Sequence, residues 1–450
     1  MTGLPPDFSS QMQALLGPEF PVFLEALDQP APLSIRLNPA KPSGWTTKDL
    51  EPVPWHPQGR YLPERPQFTL DPAFQAGAYY VQEASSMLIG EALRQILDLS
   101  LPLRALDLCA APGGKTTLLA SLLTEDSLLV ANEVIQSRTL PLRHNIAKWG
   151  LPNVWACNHD SREFAPLEGY FDLVLVDAPC SGEGLFRKDP DAAAEWSLNN
   201  VELCCGRQKR ILADAAPLLR PGGILLYSTC TFNHREDGEN ARWLAEQYGF
   251  SLLPLSLPPE WGIVDTGAGY QCYPHRVKGE GFFLACFQKP DDGKKAERAK
   301  PRQNKKWSAL AKTETGALAK DWIHPEKEVS FLQNEKQELR FLPAGLLEEA
   351  AYLSNHLYRL LPGQSFGEQK GKDTIPSPEL ALSTWVRTDI PCCELSEYQA
   401  LQFMRKEPLT GIAGAGWRLM RCEGLGLGWA KLLPNRLNNY FPTEWRIRNL

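Results

Sequence analysis

The chain has 450 residues, a length that points to two to four domains. With 43% hydrophobic and 22% charged residues and no apolar run of 18, its composition is globular and excludes helices that span a membrane. The net charge of −6 argues against coating nucleic acid by charge alone, because phosphate contacts need Lys and Arg.

The first residues, MTGLPPDFSSQ, have no basic region followed by an apolar stretch, so no signal peptide is expected. Residues 1–75 are rich in Pro, with SIRLNPAKP (34–42) reading as a strand and turn, and form a first small domain. Residues 76–290 form the second. From Leu103 onward, short apolar runs alternate with amphipathic stretches, the pattern of an α/β domain with a mostly parallel sheet. Strands are expected at 104–110, 128–133, 154–160, 171–179, 222–230 and 282–289, and helices at 138–150 and 201–219. RPGG at 220–223 stops the second helix and opens the next strand.

Residues 291–322 read as a linker, because KKAERAKPRQNKK (294–306) holds seven basic residues and one acid. Such a run serves either as a solvated spacer or as a nucleic-acid contact. Residues 323–378 are mixed, and residues 379–450 are β-rich, with a hairpin expected about the glycines of 416–433. No internal repeat is visible. The eleven cysteines include no CxxC and the seven histidines are scattered, so no metal site is expected and the chain reads as a protein of the reducing cytoplasm.

DLCAAPGGKT (107–116) raises the question of a triphosphate loop. That loop needs G-x-x-x-x-G-K-[ST], and the position of its first glycine is occupied by Cys109, whose Cβ is hard to fit where the backbone must curl round phosphate. FDLVLVDAP (171–179) would still pass as the accompanying acidic strand. Against this stand acids at the ends of successive strands: Glu133 after the second and Asp160 after the third. Carboxylates accept from ribose hydroxyls and from exocyclic amines but repel phosphate. G-x-G-x-x-G is absent, so a dinucleotide is not indicated. The set favours a ligand with adenine, ribose and a positive charge, as in S-adenosylmethionine.

DAPC (177–180) closes the fourth strand and STC (228–230) the fifth. If these strands are neighbours, Cys180 and Cys230 share a cleft at the carboxyl edge of the sheet. The ordinary role of a cysteine is to pack as a small apolar residue. It is assigned here to Cys157, Cys204, Cys205, Cys286, Cys392, Cys393 and Cys422, with Cys272 left open. A thiolate beside a methyl donor has a specific use. Attack on C6 of cytosine makes C5 nucleophilic, and Asp177 near N3 and the amino group would support the adduct. The residues alone leave open which thiol attacks.

At these positions the chain resembles the Nol/Nop/Sun-type RNA 5-methylcytosine methyltransferases, and within them the RsmF-like ribosomal RNA enzymes. The resemblance rests on YYVQEASSM (79–87), DLCAAPGGKT, VANE (130–133) with RTLPLRHNIAKWG after it, NHD (158–160), DAPCSGEG (177–184) and STCTF (228–232), and covers at least residues 70–290. It implies a Rossmann-like S-adenosylmethionine-dependent methyltransferase domain. Cofactor contacts then fall on Cys109, Ala110, Ala111, Pro112, Gly113, Gly114, Lys115, Glu133, Asp160 and Asp177. It also makes Cys230 the nucleophile, with Cys180 aiding release of product and Asp177 assisting at the base. DNA enzymes of similar chemistry use the Pro-Cys thiol and lack the second cysteine, so the pair favours RNA.

The flanks agree. LPPDFSSQMQALLG (4–17) with SIRLNPAK (34–41) resembles the small α+β N-terminal domain of RsmF-like enzymes, and residues 424–448 resemble a PUA-like RNA-binding module. Tyr440, Phe441 and Trp445 lie among four basic residues from Lys431 to Arg448, a composition suited to stacking bases and holding phosphate, although a β-barrel core would use the same aromatics. Two segments depart from the pattern: EASSM, where a Pro often follows the Glu, and NHREDGEN (233–240), which is unusually charged. The expected partner is RNA, as small-subunit ribosomal RNA or the assembled small subunit, handled by a monomer. Transfer RNA as substrate, a triphosphatase, and a non-catalytic RNA-binding assembly factor are the rivals.

Overall fold

The computed structural model describes residues 4–291, 293, 306–371 and 373–448. Two helices, Pro6–Leu16 and Phe20–Asp28, open the chain and are followed by a three-stranded antiparallel sheet of β1 (Leu33–Leu37), β2 (Gly59–Leu62) and β3 (Tyr79–Val81), in the order β2-β1-β3. The N-terminal unit therefore extends past residue 75, because β3 pairs with β1 rather than with the sheet that follows.

The large sheet carries the parallel strands β4 (Arg104–Asp107), β5 (Leu128–Asn132), β6 (Val154–Cys157), β7 (Phe171–Asp177) and β8 (Leu219–Thr229). Beyond β8 lie antiparallel β12 (Phe282–Gln288) and β11 (Tyr270–Cys272), then β10 (Val264–Asp265), with the short β9 (Ser251–Leu252) paired to β12. Strand order is β10-β11-β12-β8-β7-β4-β5-β6. Side chains of a strand alternate between faces. On β7, Leu173 and Leu175 enter one core with helices Leu88–Ile96, Gly114–Leu122 and Gln136–Trp149, whereas Val174 and Val176 enter the other with Leu198–Ala215 and Gly238–Tyr248. After β6 the chain returns to the other side of β4, so a crevice opens at the carboxyl ends of β4 and β7. The strands end two or three residues sooner than the apolar runs suggested at β4, β6 and β7. The residues released in this way form the loops of that crevice.

C-terminal to this domain, β13 (Ser308–Ala309), β14 (Val329–Gln333), β15 (Glu338–Pro343), β16 (Gln364–Lys370) and β17 (Asp373–Pro376) form an antiparallel sheet. The linker assigned to 291–322 is thus corrected. Residues 308–322 contain β13 and the helix Lys312–Trp322, whose Leu318, Ala319 and Trp322 pack against a buried core with Phe366 and Trp429. Of the basic run 294–306, all but Lys306 lies outside the described residues. The mixed segment also shares the methyltransferase core. Its helix Leu347–His356 buries Ala350 and Leu353 there, and Tyr352 stacks on Tyr170.

The last sheet joins β18 (Cys392–Glu394), β19 (Gly416–Cys422), β20 (Leu425–Leu433) and β21 (Arg436–Asn439). β19 and β20 are the expected hairpin, turned at Glu423 and Gly424 with φ of 51° and 75°. Its aromatics divide: Phe441 is core, Trp445 stacks on His144 at 4.4 Å, and Tyr440 is 37% exposed. Packing thus consumes ring faces of Phe441 and Trp445, and Tyr440 meets Trp417 edge to face at 4.6 Å. Cys392 is exposed on β18, against the buried role expected of it, and Cys272 is buried on β11. No helix among the described residues is long and apolar enough to cross a membrane.

Lys41 joins the three parts. Its buried Nζ donates to Ala76 O (2.8 Å), Lys148 O (2.5 Å) and Leu382 O (2.6 Å), and burial pushes the ammonium down to about 7. Gly150, with φ of 86°, ends the helix Gln136–Trp149 beside it, and a Cβ there would stand 2.4 Å from Leu382 O. Lys41→Met keeps the apolar stem but strands three buried carbonyls. It should lower stability by about 3 kcal/mol, read as an earlier urea midpoint.

Candidate active site

Asp107 ends β4, and the turn after it is fastened from several sides. Ala110 N donates to Asn132 O (2.8 Å), Arg138 Nη2 to Ala111 O (2.8 Å) and Asn145 Nδ2 to Pro112 O (2.8 Å). Gly113 has φ of 112°, a value that only glycine holds without strain, and Gly114 starts the helix. Cys109 lies in this turn. Its thiol is raised by burial and by the neighbouring carboxylates, so it stays protonated and packs.

Lys115 resolves the question of the triphosphate loop. Its Nζ pairs with Asp177 Oδ2 at 2.7 Å, and this partner outweighs the effect of burial and leaves the ammonium raised. Thr116 Oγ1 donates to Asp107 at 2.7 Å, so the hydroxyl that would serve a magnesium ion is also engaged. Together with Cys109, these contacts leave no phosphate cradle.

Glu133, buried after β5, accepts from Ile135 N at 2.8 Å and lies 3.6 Å from Arg138 Nη1. Val134 and Ile135 beside it are 54% and 48% exposed, apolar faces on which a purine can lie. The sequence reading missed this pair, although two β-branched residues directly after a strand-end acid were a usable signal. Asp160 follows β6 and is partly occupied. It caps the 3₁₀ helix Ser161–Leu167 through Arg162 N (3.1 Å) and meets Arg210 Nη1 at 3.1 Å. The donor set fits S-adenosylmethionine: Glu133 for hydroxyls, Asp160 for an amine and two apolar faces for a ring, beside a glycine turn that leaves room for the methionine part.

β7 and β8 are neighbours, with Asp177 opposite Ser228. Asp177 Oδ1 accepts from Ser228 Oγ at 2.8 Å while Oδ2 holds Lys115, so both carboxylate oxygens are oriented. Three residues beyond Asp177 and two beyond Ser228 the thiols meet, with Cys180 Sγ 3.1 Å from Cys230 Sγ. Contact with Cys230, then burial, raises Cys180 well above the usual thiol range, so Cys180 stays protonated. The structure thus brings Lys115, Asp177, Cys180 and Cys230 together, with Glu133 and Asp160 at the next strand ends.

Behind the thiols lie three buried acids that sequence reasoning passed over: Glu183, Glu236 and Asp237. The excess charge of NHREDGEN was the signal for Glu236 and Asp237, whereas Glu183 sits in DAPCSGEG. Glu236 Oε2 accepts from Ser181 N (2.9 Å) and Gln208 Nε2 (2.7 Å), and Asp237 Oδ1 accepts from Thr229 Oγ1 (2.5 Å).

With the geometry in place, comparison with known proteins is decisive. The family described as 16S rRNA methyltransferase RsmB/F matches residues 95–288, the N-terminal domain of 16S rRNA methyltransferase RsmF matches 4–84, and the methyltransferase RsmF PUA domain matches 391–447. Ribosomal RNA small subunit methyltransferase F of Aliivibrio fischeri is 32% identical over 98% of this chain and 97% of its own. The chain belongs to the RsmF family. It is accordingly an RNA cytosine-5 methyltransferase that uses S-adenosylmethionine. The namesake from Cronobacter sakazakii is 39% identical over 59% of each chain. A methyltransferase homologue from Pyrococcus horikoshii shares the fold with a TM-score of 0.55 and 30% identity, over 63% of this chain and 94% of that one. NSun6 from the same organism, at 22% identity and a TM-score of 0.54 over 64% of this chain and 99% of that one, shares the fold.

Burial raises Glu236 from the ordinary 4.5 to about 7. Between those values the folded protein keeps a proton that the unfolded chain has released, so stability falls as pH rises through this window, and the loss is complete above it. Glu236→Gln removes that loss. The melting temperature of the variant should exceed that of the parent at pH 8, by the equivalent of roughly 3 kcal/mol, and should match it near pH 4.5.

Proposed function

We propose that this member of the RsmF family methylates C5 of cytosine in small-subunit ribosomal RNA through a covalent adduct between Cys230 and C6, acting as a cytoplasmic monomer. The observation that carries this reading is the meeting of two thiols, 3.1 Å apart, beside the Lys115–Asp177 pair. Methylation of an exocyclic nitrogen would need no thiol, whereas C5 needs one. The names of the relatives, ribosomal RNA small subunit methyltransferase F, support the choice of RNA.

Cys230 adds as thiolate to C6, forming the S–C6 bond and moving the C5–C6 π electrons to C5. S-adenosylmethionine, when bound, would supply a sulfonium methyl group; as C5 takes the methyl carbon, its bond to sulfur would break and leave the thioether S-adenosylhomocysteine. Loss of the C5 proton to water then re-forms the double bond and expels the Cys230 sulfur. Cys180, which keeps its proton, donates a hydrogen bond to that departing sulfur. Asp177, held by Lys115 and Ser228, faces the cleft to support N3 and the amino group. Cys109 to Lys115, Glu133 and Asp160 would hold the cofactor.

Cys180→Ala should trap RNA as an adduct that survives denaturation, and Cys230→Ala should lose both activity and adduct. Normal turnover by Cys180→Ala would reject this division of labour. Label from S-adenosylmethionine should appear as 5-methylcytosine in small-subunit RNA, naked or assembled. Label in transfer RNA alone would keep the chemistry and discard the substrate. S-adenosylhomocysteine should bind in calorimetry, and ATP should not.

A further inference from the structure

The two cysteine loops, Ala178–Gly184 after β7 and Cys230–Asp237 after β8, have no regular secondary structure around either thiol. A loop of that kind holds a side chain only as tightly as its own hydrogen bonds allow. Here the loops hold each other, and the bonds cross. Glu236, from the second loop, accepts from Ser181 N, the residue after Cys180, at 2.9 Å. Glu183, from the first loop, accepts from Phe232 N, two residues after Cys230, at 3.0 Å. Each acid is braced from behind. Gln208 Nε2 donates to Glu236 at 2.7 Å, whereas Trp196 Nε1 and Asn233 Nδ2 donate to Glu183 at 3.0 and 3.1 Å. Gly184 N closes the crossing on Cys230 O at 2.8 Å, where a Cβ on Gly184 would stand 2.7 Å from that oxygen.

We propose that Glu183 and Glu236 are reciprocal positioning residues that set where the two thiols stand, Glu236 for Cys180 and Glu183 for Cys230. This rests on the proposed roles of those thiols. Neither acid touches the reacting atoms; each acts through an amide one or two residues from a sulfur. Because the two sulfurs serve different steps, the two acids have different signatures. Loss of the Glu236 latch moves Cys180 and impairs release of the adduct. Loss of the Glu183 latch moves Cys230 and impairs attack.

The test is to measure methyl transfer and denaturation-resistant RNA adduct side by side, on unmodified small-subunit ribosomal RNA with labelled S-adenosylmethionine. Glu236→Ala should slow turnover on the order of tenfold to a hundredfold while adduct accumulates, as expected of a thiol displaced by about 1 Å. Glu236→Gln, which still offers an acceptor to Ser181 N, should restore most turnover and abolish the accumulation. Glu183→Ala should slow turnover by a similar factor with no adduct. Glu183→Gln should recover only in part, because both oxygens of Glu183 are in use. In a Cys180→Ala background, Glu236→Ala should add no further adduct. If Cys180→Ala itself traps nothing, the assignment of the thiols fails. If it traps adduct but Glu236→Ala and Glu183→Ala lower turnover with the same adduct-to-product ratio as the parent, the acids are merely structural and the proposal is overturned.

Discussion

β7 and β8 run parallel and in register, so that Asp177 stands opposite Ser228 and the two loops leave the sheet side by side. Everything chemical in this protein follows from that pairing. Parallel neighbours deliver their carboxyl ends to the same edge, and the switch of strand order at β4 opens the crevice there. A slip of one residue in either strand would turn its side chains to the opposite face and separate Asp177 from Ser228. Core packing forbids the slip, since Leu173 and Leu175 on one face and Val174 and Val176 on the other are fully buried.

The surrounding domains serve that edge. The N-terminal helices bring Phe8 and Phe23 onto Phe186 and Trp196, which follow the first cysteine loop, and onto Phe232 within the second. Asn233 also reaches Gln11 at 3.1 Å. Lys41 then ties the N-terminal unit to the helix after β5 and to the C-terminal module. An ammonium so placed has three N–H groups for three carbonyls, which is why a buried charge is tolerable at this junction. The C-terminal module is therefore held against the methyltransferase domain by specific polar contacts rather than tethered beside it.

Much of this was legible from residue patterns. Alternating apolar runs marked every parallel strand, and the glycine turn, Glu133 and the Pro-Cys and Thr-Cys pairs marked the site, because local geometry and strand-end chemistry leave local signatures. What was illegible depends on contacts distant in sequence. Helix Lys312–Trp322 looked like linker because the partners of its apolar residues lie more than forty residues on, at Phe366 and Trp429. Phe441 and Trp445 looked available to RNA until packing and His144 claimed them. Glu236 and Asp237 stood out only as unusual charge, and it is the fold that buries them against Ser181 and Thr229.

By itself, the sequence determined the parallel strands, the absence of a phosphate glycine at position 109 and the chemistry that each strand end could offer, since these depend on backbone preference and functional groups carried by neighbouring residues. The tertiary structure alone decided that Lys115 is spent on Asp177, that Cys180 and Cys230 touch, and that Cys180 stays protonated. Those outcomes depend on burial and on distances between residues about 50 or more positions apart, which no local pattern encodes.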